Sequence, residues 1–347
     1  MKALVKDKPE KGLTYKNIPT PQVSDTDVLL KVKAAAICGT DTNAYAWNDW
    51  AKNTYKNLPF VLGHECAGEV VEIGAHVNRI SVGDRVAAET HVPCGDCYHC
   101  FNGMQHICPS MKVLGAHMDG CFAEYVVIPE VCARKLPDTI SYEEGSLLEP
   151  MGVAMRPVWE GNVPGETVLV IGCGPIGQLA ISLAKAMGCH HLFACDVNEY
   201  RLNLAKEAGA DVIINPTKQN PIEVVADMTD GLGIGVSIEL SGSDQGIKTA
   251  FEILRKGGNV FISGQPKGPV ELDLGRDVLT KEARVRGFHG REMYQTWELA
   301  ESFVTTKKID LLRVVTHRFG MDNCDEAFRI VKEGDGLKVL FLPEGVE

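Results

Sequence analysis

Apolar and polar positions recur with two different periods along this chain, and the change between them divides it near residue 150. Up to that point short runs rich in β-branched residues, broken by glycine and proline, predict strands at residues 28–34, 68–73 and 84–87. Beyond it the runs alternate with helical spacing. The apolar run at 168–171 breaks at once into Gly172-Cys173-Gly174-Pro175-Ile176-Gly177, after which Ile176, Leu179, Ala180, Leu183, Ala184 and Met187 mark one face of a helix. A second strand at 191–195 ends in Asp196, a helix suits 199–209, and a third strand falls at 211–215. Strands at 236–240 and 259–263 flank a helix at 244–254, stopped by Lys256-Gly257-Gly258, and 285–288 is the last strand. Such alternation predicts an α/β fold, a doubly wound parallel sheet with helices on both faces.

The turn after the first of these strands is built for a dinucleotide. Gly172 permits the tight turn, Gly174 lets backbone approach a pyrophosphate, and Gly177 lets helix and strand pack closely, as in a Rossmann-type unit. The helix N-terminus beyond them offers unpaired N–H groups to the anion. Asp196 lies about twenty residues on, where an acid accepts a bond from the adenosine ribose, and that favours NAD over NADP. The cofactor is expected along the carboxyl edge of the sheet, against Ile176, Asp196, Arg201, the loop Ser263-Gly264-Gln265 and Phe288.

Composition narrows the classes further. The 347 residues suffice for two domains with separate cores, and a net charge of -11 leaves no basic footprint for nucleic acid or an anionic membrane. The apolar stretch from Glu166 to Lys185 is interrupted by three glycines and a proline, so it reads as buried strand and helix and not as a membrane span. The first ten residues have no apolar signal core, which makes a cytoplasmic location the expectation.

Twelve cysteines in a cytosolic chain read as metal ligands and buried thiols more readily than as disulfides. Four are clustered: Cys94, Cys97 and Cys100, with two residues between each and the next, and Cys108 at short reach. Four such sulfurs can surround one tetrahedral zinc with no open position, a structural site, and an iron–sulfur cluster is the competing reading. His99 and His106 lie inside this lobe as spectators. A more scattered group consists of Cys38, His64, Glu65 and Glu149, which spacing alone leaves open between shared metal and ordinary structural use.

Cys38-Gly39-Thr40-Asp41, Gly63-His64-Glu65, the four-cysteine lobe, Val82-Gly83-Asp84-Arg85-Val86 and the glycine loop, in that order, resemble the zinc-dependent medium-chain dehydrogenases, the family of alcohol, sorbitol and threonine dehydrogenases. The resemblance covers essentially the whole chain. Within the family, segments such as Tyr45-Ala46-Trp47-Asn48-Asp49-Trp50, Glu89-Thr90-His91, Gly290-Arg291-Glu292-Met293 and Thr316-His317-Arg318-Phe319 are similar to the threonine dehydrogenase branch. It implies a mainly β GroES-like catalytic domain at 1–150 with the zinc lobe at 91–110, an NAD-binding domain at 151–294, and a return to the catalytic domain at 295–347. The active zinc would lie in the cleft between the two. That zinc would be held by Cys38 and His64, with Glu65 or Glu149 completing the shell, making one catalytic and one structural zinc per chain. Zinc as a Lewis acid lowers the pKa of the bound oxygen, and NAD accepts the hydride.

The family position whose hydroxyl takes the substrate proton is Thr40. Where many relatives carry a histidine three residues later to pass it on, this chain has Asn43, so the relay must end in a ribose hydroxyl, in water or in a group such as His91. After Glu149-Pro150 the threonine enzymes usually read Gly-Asn-Ala-Val, and this chain reads Gly152-Val153-Ala154-Met155-Arg156. Arg156 is available either to an anionic substrate group or to a surface or domain seam. The reaction implied is NAD-dependent oxidation of a small secondary alcohol, L-threonine to 2-amino-3-oxobutanoate, with a polyol or vicinal diol as the alternative substrate class. A non-catalytic NAD-binding zinc protein is the alternative from another class. The relatives imply a homotetramer or a dimer, and no nucleic-acid or membrane partner is expected.

Overall fold

In the computed structural model, which describes residues 1–55 and 57–345, the chain begins with a strand absent from the sequence expectations. β1 (Lys2–Lys6) pairs antiparallel with β2 (Thr14–Asn17). β3 (Asp27–Ala36) follows, and its Val28, Leu30 and Val32 enter the core while Lys31 and Lys33 between them stay half-buried. Two helices, α1 (Gly39–Ala46) and α2 (Asp49–Thr54), lead to β4 (Phe60–Val61), which returns to β1. β5 (Glu65–Ile73) and β6 (Arg85–Ala88) extend the sheet of β3. β7 (His91–Val92), α3 (Tyr98–Phe101) and β8 (Lys112–Val113) form the lobe, and β9 (Tyr125–Pro129) and β10 (Ala133–Lys135) complete this part.

α4 (Tyr142–Glu160) then carries the chain from one compact unit into the next, the division falling between Pro150 and Met151. No element was expected here, because Pro150 and Pro157 each remove a backbone donor and normally end a helix. Burial of nearly every residue from Gly145 to Val158 outweighs that cost.

The second unit (Met151–Glu292 and Glu298–Ala300) alternates strand and helix: β11 (Thr167–Ile171), α5 (Pro175–Ala186), β12 (His191–Cys195), α6 (Glu199–Glu207), β13 (Val212–Ile214) and α7 (Pro221–Met228). Then come β14 (Ile234–Glu239), α8 (Asp244–Glu252), β15 (Leu254–Ile262) and β16 (Arg284–Gly287). All pairings are parallel and the order is β13-β12-β11-β14-β15-β16, the doubly wound order with its switch point between β11 and β14. A Cβ on Gly177 would collide with the Gly172 carbonyl, so only glycine allows α5 to approach β11 this closely. Lys256-Gly257-Gly258 does not stop the helix, which ends earlier at Glu252. It forms an irregularity within β15: Leu254 pairs with Ile234 and Asn259 with Val236, and Gly257 takes a positive φ of 71°.

The remaining chain holds α9 (Gln295–Thr305), β17 (Val315–Phe319), α10 (Cys324–Glu333) and β18 (Lys338–Phe341). Met293–Trp297 and Glu301–Glu347 belong to the first unit, whose main sheet runs β10-β6-β5-β3-β18-β17 with β9 also on β3. Phe328, Val339 and Phe341 share one apolar core with Leu30, Val32 and Phe122. That burial is why the C-terminal segment returns. Among the described residues no helix is long and apolar enough to cross a membrane.

Candidate metal and dinucleotide sites

The four clustered cysteines converge. Sγ–Sγ separations are 3.5 Å for Cys94–Cys108 and Cys97–Cys100, 3.8 Å for Cys97–Cys108 and 3.9 Å for Cys94–Cys100. A tetrahedron with Zn–S bonds of about 2.3 Å has sulfurs about 3.8 Å apart, so the residues fit that ion without rearrangement. The Cys100 amide, before any other influence, draws the Cys97 thiol down to about 6, toward the thiolate that binds metal. All twelve cysteines are free thiols; outside the lobe only Cys38 is not fully buried.

Cys38, His64 and Glu65 form a second group, with ligand atoms all within 4.8 Å of one another. Their convergence is a matter of register. Ala36 pairs with Glu65 across β3 and β5, which brings Cys38, two residues past the end of β3, beside His64 and Glu65. Asp41 then organises the group: its carboxylate accepts from the Cys38 N–H at 2.8 Å and lies 3.5 Å from His64 Nδ1, leaving His64 Nε2 for a metal. Burial disfavours charge on His64, but the Asp41 and Cys38 charges outweigh it and raise its pKa well above the ordinary value. Such a pocket attracts a cation, and a soft thiolate beside an imidazole suits zinc.

Glu65 has a partner that sequence reading missed. Lys338, buried in β18, donates to both of its carboxylate oxygens, one at 2.6 Å, and to the Ile37 carbonyl at 3.2 Å. Burial pushes the Glu65 carboxyl up, Lys338 opposes this, and Glu149 adds to it. Glu149 is thus close enough to act electrostatically on Glu65, yet it is not among the three residues whose ligand atoms cluster. The only sequence signal for Lys338 is a lysine opening an otherwise apolar strand, Lys338-Val339-Leu340-Phe341.

Thr40 lies in the first turn of α1 and is exposed. Asn43, half-buried, accepts at its carboxamide oxygen from Asn48 Nδ2 at 2.8 Å, a bond that ties the turn between α1 and α2. His91 is buried, its N–H donating to Glu89 Oε1 at 2.8 Å, while Glu89 Oε2 accepts from Trp297 Nε1 at 2.6 Å. Arg156 is neither at the surface nor free for a substrate. It is buried, pairs with Glu160 at 3.0 Å and stacks its guanidinium 4.7 Å from the Phe288 ring centroid.

In the second unit a cavity of about 580 Å³ opens at the carboxyl edge of the sheet, with Gly172, Gly174, Asp196 and Arg201 in its wall. Both Asp196 oxygens are fixed by backbone donors, Cys173 N–H at 2.7 Å and Asn198 N–H at 2.9 Å, so the carboxylate is held ready to accept from a ligand hydroxyl. Arg201 Nε is buried without a partner, and its guanidinium lies 4.0 Å from where a Cβ on Gly174 would be. No side chain caps α5. An orphaned cationic donor beside an uncapped helix start fits a pyrophosphate. The other expected contacts do not line this cavity. Ile176 and Gly177 lie in the first turn of α5, Gly264 donates its N–H to the Glu239 carbonyl at 3.0 Å, and the Gln265 carbonyl crowds Gly242. Ser263 Oγ is buried without a partner, and Phe288 stacks on Phe261. Ser241, Ser243 and Thr217, which do line it, carry no motif that sequence reading could have used.

With this geometry in view, two sequence profiles match the chain: an alcohol dehydrogenase GroES-like domain over residues 24–138 and a zinc-binding dehydrogenase over residues 175–306. The chain belongs to the zinc-dependent medium-chain dehydrogenase family, enzymes acting on a CH–OH group. More particularly, it is 40% identical to the L-threonine 3-dehydrogenase of Bacillus licheniformis over 99% of both chains. Among solved structures it is similar to 2R,3R-butanediol dehydrogenase of Bacillus subtilis (TM-score 0.89, 30% identity, 99% of both chains). It is also similar to a zinc-binding dehydrogenase of Sinorhizobium meliloti 1021 bound to NADP (TM-score 0.91, 29% identity, 99% of both chains). Zinc and a nicotinamide dinucleotide are the cofactors that this membership supports.

Proposed function

We propose that the chain oxidises L-threonine at its secondary alcohol to 2-amino-3-oxobutanoate, with NAD as oxidant and zinc at two places. The observation that carries this reading is the partly buried Cys38–His64–Glu65 group, in a chain 40% identical throughout to an L-threonine 3-dehydrogenase. Cys38 and His64 would hold the catalytic zinc, with Asp41 orienting the imidazole, and Cys94, Cys97, Cys100 and Cys108 would hold the structural one. The bound metal supplies Lewis acidity, and the dinucleotide takes up the electrons. Glu65 is held by Lys338, which favours Glu149 or solvent for the remaining position. The Thr40 hydroxyl takes the substrate proton.

Asp196 accepts from an adenosine hydroxyl, and an anion there repels a 2'-phosphate, which favours NAD. Assembly as a homotetramer, or as a dimer, and a cytoplasmic location complete the reading; the molar mass in solution tests the first.

Incubation of purified protein and NAD with L-threonine, D-sorbitol and 2,3-butanediol, followed by NADH absorbance, tests the substrate. Turnover of threonine well above the diols is expected, whereas silence with threonine beside turnover of a diol would transfer the chain to the alternative class. That second reading draws on the likeness to butanediol dehydrogenase and on Asn43. Asn43→His should introduce a group titrating near about 6.5 and move the acid limb of the kcat/KM profile toward it. An unchanged limb in a folded variant would remove this position from the proton route.

A further inference from the structure

The dinucleotide cavity has a feature that the reading above leaves unused. Glu239, the last residue of β14, is fully buried, and among the described residues no cation forms an ion pair with it. Its carboxylate accepts instead from the turn that follows. Oε1 takes the Ser241 N–H at 2.8 Å and the Ser241 hydroxyl at 2.5 Å, and the Gly242 N–H lies 3.0 and 3.2 Å from the two oxygens. Burial pushes the carboxyl up from its ordinary value, and these donors act against it. The turn packs closely on both groups: a Cβ on Gly264 would come 2.6 Å from Glu239 Oε2, and one on Gly246 2.7 Å from the Ser241 hydroxyl, so glycine is needed at each place.

This network decides where each hydroxyl hydrogen goes. Oε1 already receives two backbone N–H bonds, so the hydrogen between it and Ser241 Oγ is the serine's own. Ser241 Oγ then has only lone pairs left. It accepts the Ser243 N–H at 3.1 Å, and the Ser243 hydroxyl, 2.9 Å away, must donate to it. Ser243 Oγ in turn accepts the Gly246 N–H at 3.0 Å, at the start of α8. Both hydroxyl hydrogens are used within the network, and both serines line the cavity. The Ser243 N–H and O–H occupy both lone pairs of Ser241 Oγ, so what remains for a ligand is the second lone pair of Ser243 Oγ.

We propose that Glu239 is a positioning residue that, through Ser241, fixes the Ser243 hydroxyl as an acceptor facing the dinucleotide cavity. Ser243 thereby forms a second selector, beside Asp196, for a ligand bringing hydroxyl hydrogens and against one bringing a phosphate. A ribose hydroxyl can donate to such a wall, whereas a phosphate offers further lone pairs and is repelled. This deepens the NAD assignment above and rests on it.

The test is binding of NAD and of NADP to the purified full chain, by calorimetry. Glu239→Leu removes the acceptor that holds the Ser241 hydrogen, so that hydroxyl can donate to Ser243 Oγ and turn the Ser243 hydrogen toward the cavity. The ratio of NAD to NADP affinity should then fall by about tenfold, the scale of one hydrogen bond made or lost. Ser241→Ala keeps Glu239 in place but frees the Ser243 hydrogen, and should narrow the ratio in the same direction, so the idea stays testable should Glu239→Leu fail to fold. Equal weakening of both cofactors, or an unchanged ratio in a folded variant, would overturn it by reducing Glu239 to a structural brace. Absence of NAD binding by the unaltered protein is a different outcome: it removes the NAD reading, and this inference with it.

Discussion

Cys38→Ser is expected to lower turnover of the best alcohol by about a thousandfold or more while the protein stays folded, the loss of several kcal/mol of charge stabilisation expected when a catalytic metal leaves. Three features of the site set that size. The group contains only one sulfur, in Cys38, and His64 and Glu65 are the other donors within 4.8 Å. A serine hydroxyl is hard and un-ionised at neutral pH, so it replaces neither the charge nor the softness of a thiolate. Cys38 is also only partly buried, so the substitution leaves no large cavity. Metal analysis supplies the second readout. The unaltered chain should carry two zincs, one for each donor group, and the variant one, held by Cys94, Cys97, Cys100 and Cys108. Undiminished oxidation by a variant that has lost one zinc would refute the role given to this ion. Retention of both zincs would move the metal elsewhere.

Lys338→Met should destabilise the protein by about 3–5 kcal/mol, the cost typical of removing one member of a buried ion pair. Lys338 and Glu65 are both essentially inaccessible to water, with 2% and 1% of their surfaces exposed, and the ammonium also serves the Ile37 carbonyl just before Cys38. Without it the Glu65 carboxylate stays buried, facing the negative field of Glu149. Methionine nearly matches the lost volume, so the deficit is electrostatic and not a cavity. Thermal or urea unfolding of the metal-free protein gives the number. Adding Glu65→Leu should recover much of the loss, because an apolar pair of similar size is tolerated where half of an ion pair is not. A single variant within about 0.5 kcal/mol of the parent would mean that solvent reaches the pair and that Lys338 does not restrain Glu65.

The features that were legible in the sequence are those carried by local chemistry. Gly172, Gly174 and Gly177 announce their turn because a Cβ on Gly172 or Gly177 would strike neighbouring backbone, and the four clustered cysteines announce theirs because chelation by near neighbours needs only short loops. The alternating strands of the second unit were legible for a related reason: a strand buried on both faces is a nearly continuous apolar run. α4 was not, since its two prolines obey a local rule that tertiary burial overrides. β1 and α7 also went unread, and the arginine at 156 was left open between a substrate group and a surface or domain seam because its partners, Glu160 and Phe288, lie four and more than a hundred residues away.

By itself, then, the sequence determined the succession of strands in the second unit, the dinucleotide turn and the cysteine cluster, because each depends on residues within a few positions of one another. Only the tertiary structure decided which carboxylate faces which cation. The pairing of Ala36 with Glu65 across two strands and the return of β18 bring Cys38, His64, Glu65 and Lys338 together from positions three hundred residues apart. Registers of that kind are set by burial of whole sheet faces, a property of the packed chain that no short stretch of residues contains.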